Sequence, residues 1–198
     1  MKQLTVATLK LFGDHSALDF TNTVDSRGER FGPDVLQSYD DLLDWGRRRS
    51  VLDAAEVEAL RGLPAERGKA ALARAKVLRE ALYRIFATRP SADPLDLDLL
   101  QSEVRAAQEA RMLLHDADGY AWRWRADDPD AVTHRIALVA ADLLTSSALD
   151  RVHICPGENC AWLFLDNSRA GGRLWCSEET CGMRSRVRRW RAHRRRYT

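Results

Sequence analysis

The stretch CPGENCAWLFLDNSRAGGRLWCSEETCGMRSRVRRWRAHRRR, residues 155–196, contains every cysteine of the chain and ends in a run of eight arginines with no acid beyond Glu179. Its cysteines are spaced C-x4-C-x15-C-x4-C. Two close pairs across a short span suit a tetrahedral Zn2+: each pair closes a tight turn that aims two sulfurs at one point, and the span brings back the other two. Cys155, Cys160, Cys176 and Cys181 are therefore expected to hold one structural Zn2+. An iron–sulfur cluster also takes four thiolates, whereas a redox pair would be C-x-x-C, which is absent. Four thiolates leave no open position for an activated water. The nearby histidines are His153 and His193, and His153 reads as a surface residue rather than a ligand.

Between the pairs, WLFLD predicts a strand, NSRAGG a reversal, and a second strand ends at Trp175, giving a hairpin. A tail this poor in apolar residues cannot fold by burial alone, and structural zinc contributes on the order of 10–16 kcal/mol in finger peptides. The basic run predicts a helix. At about 100° per residue, Met183, Val187 and Trp190 share one stripe, expected to pack on the zinc hairpin. Arg184, Arg188, Arg191 and Arg195 form a ridge beside it, and Arg186, Arg189 and Arg196 lie on the far side. Like charges so crowded call for a polyphosphate partner, and a rod of this width suits the DNA major groove. The expected DNA contacts are Arg184, Arg186, Arg188, Arg189, Arg191 and Arg195. Recognition of RNA by stacking would want exposed aromatics beside the arginines, where Tyr197 stands.

Upstream the character changes. Residues 151–198 set eleven arginines against four carboxylates, a surplus of seven positive charges. With a net charge of +2, the first 150 residues then carry a deficit of five. An acidic body bears a basic tail. Ser38 with Asp41, and Asp53 with Glu56, are helix-start patterns. Pro64 precedes the longest apolar periodicity, which runs to Pro90, and Asp93-Pro94 starts a further helix that ends near Arg111. MLLHDADGYAWRWRA predicts a β-hairpin whose turn needs Asp118 or Gly119 at positive φ, and 130–147 is helical again. ALDFTNTVDSRG suits a short helix only in part. The expected fold is mainly α: a helical domain with a small β-hairpin over 1–147, then a treble-clef-like zinc finger over 148–198, joined at SSALD. No apolar run reaches the length of a membrane span or a signal h-region, so the expected compartment is the cytosol, with no membrane partner.

Asp19, Asn22 and Thr23 fall at i, i+3 and i+4 in an apolar setting. They could line a small-molecule pocket with Trp45 as its wall, or form a hydrogen-bonded core. No catalytic constellation stands out in residues 1–150, and His15, His115 and His134 are scattered, so the expectation is not an enzyme.

The segment CPGENCAWLFLDNSRAGGRLWCSEETCGMRSRVRRWR resembles the CGNR zinc-finger family in its two cysteine pairs, W-L-F-x-D strand, Ser-Arg turn, R-x-W-C-S approach and arginine-rich helix. ALDFTNTVDSRG and SYDDLLDWGRRRSVL resemble the ABATE domain that usually precedes this finger, through Leu18, Asp19, Asn22, Thr23, Leu43 and Trp45. The resemblance implies a bacterial transcription regulator, associated with the nucleoid. Its finger would bind DNA, with a role implied for Arg184, and its helical domain would sense stress or a small-molecule effector. At the position of the family's eponymous Asn stands Met183. A palindromic operator would require a homodimer. The alternative partner is RNA or the ribosome.

Overall fold

The computed structural model describes residues 4–29, 32–116 and 119–194. Arg195, Arg196, Tyr197 and Asp118 lie outside the described residues.

The chain folds as α1 (Ser16–Thr21), α2 (Tyr39–Arg48), α3 (Ala54–Arg61), α4 (Ala65–Thr88), α5 (Pro94–Glu109), β1 (Arg111–Asp116), β2 (Gly119–Trp124) and α6 (Ala131–Thr145), continuing into the finger. A 3-10 turn at Ser147–Arg151 leads to β3 (Val152–Ile154) and β4 (Leu163–Leu165), and a π-turn at Glu178–Gly182 leads to α7 (Met183–Arg194). Local chemistry fixes several starts. Ser38 and Asp41 form a reciprocal capping box on α2, and Asp53 and Glu56 do the same on α3. These satisfy backbone N–H groups that the first turn leaves without partners. β1 and β2 pair antiparallel from Arg111↔Trp124 to Asp116↔Gly119, and Gly119 takes the positive φ of 112° expected in that turn.

The 24-residue α4 is the spine. Its small residues Gly68, Ala71, Ala75 and Ala81 allow close approach, while Leu78, Leu82, Ile85 and Phe86 fill the core shared with α1, α2 and α6. The same apolar cluster continues without a break into Val152, Trp162, Leu163, Phe164 and Leu165. The position expected for the joint therefore carries a continuous core across it. Among the described residues, no helix is long and apolar enough to cross a membrane.

The strand WLFLD does not pair with the segment ending at Trp175. Its central residues Leu163–Leu165 pair instead with Val152–Ile154, in the register Val152↔Leu165. Side chains take over the backbone groups that a second strand would have used. Asp166 accepts from the N–H of Ser168 at 2.8 Å and of Arg173 at 3.0 Å. The Arg173 guanidinium donates to the carbonyls of Trp175, Leu165 and Phe12 at 2.9, 3.2 and 2.9 Å. Hydrogen bonds from the Ser168 side chain and from these backbone groups hold the Asp166 carboxyl at about 2.

Candidate metal centre and nucleic-acid interface

The four cysteines come from different local structures that converge. Cys155 follows β3, Cys160 closes the turn that returns to β4, Cys176 precedes the π-turn before α7, and Cys181 lies within that turn. Their Sγ atoms all lie within 4.8 Å of one another. Cys160 stands 3.7 Å from Cys176, and Cys176 stands 3.7 Å from Cys181. Sulfurs at tetrahedral corners about 2.3 Å from a Zn2+ are about 3.8 Å apart, so the cluster has the span of a ZnS4 site. Gly157 makes the closeness possible, since a Cβ there would sit 2.8 Å from the Cys181 Sγ.

As bare thiols the four work against one another. Hydrogen bonds from Cys160, Cys176 and Cys181 hold Cys155 far below the thiol range, whereas Cys160 and Cys176 are pushed up, foremost by Cys155. Cys181, opposed by Cys155 but helped by Cys160 and Cys176, falls to about 7. A divalent cation removes this conflict by favouring all four thiolates together. The donor set is all-sulfur and closed, which suits one structural Zn2+.

The N-terminal body grips the finger at points that sequence reasoning did not find. Asn22 donates its side-chain N–H to Leu163 O at 2.8 Å and accepts from Leu163 N at 3.0 Å. Trp162 Nε1 donates to Val24 O at 2.8 Å, and Arg27 N donates to Cys160 O at 2.9 Å. Ser26 also donates to the carbonyl of Asn159, against which Gly28 lies so close that a Cβ would come within 2.6 Å of Asn159 Cα. This loop is anchored in turn to α4. Arg27 pairs with Glu80 at 2.7 Å, and Arg79 binds Asp34 through two hydrogen bonds of 2.8 and 3.0 Å. Burial alone would raise Asp34, but Arg79 and Lys76 hold it below the usual carboxylate range.

The polar set considered for a ligand pocket is wholly inside. Asp19, Asn22, Thr23 and Trp45 are each 0% exposed, and they line neither of the clefts described below. Asn22 is engaged with Leu163. Thr23 donates to Phe20 O and accepts from Arg79, and Trp45 packs against Phe20 with ring centroids 5.1 Å apart. Asp19 accepts from Gly13 N at 2.8 Å and faces Arg49 at 3.3 Å. Burial, only partly offset by these two, raises its carboxyl to about 6.

A cleft of about 860 Å³, which takes in the metal site through Cys160, Cys176 and Cys181, opens between the loop at Asp25–Glu29, the zinc turn and α7, with Phe12 and Trp162 in its wall. Arg184 and Arg188 both line it, and Arg188 meets Glu158 there at 2.8 Å. A smaller cleft lies between Arg47, Glu56 and Arg135. His134, read as isolated, meets Asp128 at 2.8 Å, and Asp130 completes a trio within 4.8 Å. Arg74 already sits 3.1 Å from Asp130, so the trio carries its own counter-charge.

The helix α7 is turned the other way from its expected orientation. Ser185 is its buried residue, while Met183, Val187 and Trp190 are 53%, 41% and 58% exposed. The expected packing stripe is therefore on the open side. Helical repetition explains the error, because it shows which residues share a face but not which face meets the body. A small Ser against the finger lets the backbone approach where a Met or Trp would hold it off. Arg184, Arg186, Arg188, Arg189 and Arg191 are all exposed, with Arg186 paired to Glu178.

Comparison with known families gives two matches. The model of the ABATE family, described as "putative stress-induced transcription regulator", matches residues 14–147, and that of the CGNR zinc finger matches residues 151–196. No curated protein matches the chain.

Proposed function

Because the chain belongs to the ABATE family and ends in a CGNR zinc finger, we propose that it is a zinc-dependent, DNA-binding transcription regulator. The observation that carries this reading is α7, a helix with six arginines and no acid in its 12 residues, rooted at a four-cysteine centre. Residues 148–198 make the DNA contact, through Arg184, Arg186, Arg188, Arg189, Arg191 and Arg195, and residues 1–147 regulate it. The two family matches, which meet between 147 and 151, support that division.

The cleft beside the zinc turn is the place for an effector. Beyond the part that the metal takes, it opens between Phe12, Trp162 and α7, and Arg184 and Arg188 in its wall would couple occupancy to DNA contact. A second reading, binding to RNA, draws on the β1–β2 ribbon. There Tyr120 and Trp122 are 77% and 55% exposed, and the Arg111 guanidinium lies 4.9 Å from the Trp122 ring. Such surfaces stack unpaired bases. Competition between duplex DNA and structured RNA at equal salt separates the two. Preference for the duplex is expected, and a stronger preference for RNA would favour the second reading.

A further inference from the structure

The side of α7 farthest from the finger is apolar. Counting about 100° per residue, Ser185 lies opposite the stripe of Met183, Val187 and Trp190, and Ser185 is the buried one. Arg186 flanks the stripe on one side, and Arg184 and Arg191 flank it on the other. Arg194 continues its line and folds over Trp190, with its guanidinium carbon 5.0 Å from the ring centroid. A tail helix serving only as a cationic patch would have no reason to turn Met, Val and Trp outward between arginines.

We propose that α7 reads duplex DNA through this stripe, with Met183 and Val187 against thymine 5-methyl groups in the major groove while Arg184, Arg186 and Arg191 hold the phosphates on either side. The inference rests on the DNA-binding reading and specifies it. The thymine methyl is the apolar group that base edges present in the major groove. Met183 and Val187 are about 6 Å apart along the axis, close to the rise of two base pairs. The charge settles the occupant. A second copy docking stripe to stripe would bring two sets of arginines together, whereas a DNA groove is walled by phosphate on both sides. RNA lacks the methyl group, and its major groove is too deep and narrow for side chains to read.

The test uses the full, zinc-loaded chain. Duplexes are selected from a random pool, and affinity is measured by fluorescence anisotropy on a selected duplex and on the same duplex with deoxyuridine for thymidine. The expected result is a loss of about four-fold per methyl removed. Val187→Ala and Met183→Ala should each bind the two duplexes more nearly alike, and Arg191→Ala should weaken both equally. Val187→Ala lies farther from the metal ligands, so it keeps the test valid if Met183→Ala disturbs zinc content. Equal affinity of the parent chain for both duplexes would overturn the stripe reading while leaving DNA binding in place. Binding to no duplex at low salt would overturn both. Two other results would give the stripe a different occupant and also refute the proposal: stripe-dependent binding to phosphatidylglycerol vesicles that exceeds DNA binding, or a dimer in sedimentation that Val187→Ala dissolves.

Discussion

Asn22 carries more of the link between body and finger than its size suggests. Its amide completes both backbone groups of Leu163 in a fully buried setting. Removing one partner of a buried hydrogen bond costs about 1–3 kcal/mol for each group left unpaired. Asn22→Ala should therefore lower the urea midpoint clearly, whereas the exposed Val77→Ala should barely move it; equal shifts would contradict the assignment. Asp19 supplies a pH dependence. Its folded carboxyl titrates at about 6 against an ordinary 3.8, so the folded state binds the extra proton between those values. This contribution to stability is present at low pH and is lost as pH rises from about 4 through 6, on the order of 3 kcal/mol. Asp19→Asn keeps an acceptor for Gly13 and should flatten the slope of unfolding free energy across that window. An unchanged slope would place the titration elsewhere. Neither role was legible in the sequence. The i, i+3, i+4 spacing showed that Asp19, Asn22 and Thr23 belong together, but their partners lie up to 141 positions away.

At the scale of elements, what was legible was local. Two capping boxes, the turn glycine at 119 and the cysteine pairs each state their structure within a few residues, and each appears where the sequence placed it. The pairing of WLFLD was not legible, because its partner is the three-residue strand Val152–Ile154 on the other side of a metal turn. The outward face of α7 escaped for a related reason, since periodicity does not show that the face at Ser185 is the covered one. Gly157 gives a test of the element it serves. Gly157→Val puts a branched side chain against the Cys181 sulfur and should reduce bound zinc well below one per chain by colorimetric assay. Gly172→Val, with nothing within 4 Å of its added Cβ, should retain it. Full zinc in both would show that the thiolates have room to spare.

For the whole molecule, the shared core limits what metal removal should do. The strands Val152–Ile154 and Leu163–Leu165 belong to the same apolar cluster as α4, while the π-turn and α7 depend on the thiolates. Chelation should raise hydrogen exchange in 155–160 and 173–194 and leave the buried amides of α4 protected; uniform loss across the chain would show a single cooperative unit. On the proposed function, an acidic body holding a basic helix by one metal centre would make DNA binding depend on the zinc state and on ionic strength together. Labelled duplex should therefore be titrated with zinc-loaded protein from about 50 to 200 mM salt, with and without chelator. About four to six phosphate contacts predict a slope of log K against log salt near −4 to −5, lost when zinc is removed. A slope near zero, or binding that survives chelation unchanged, would contradict the account.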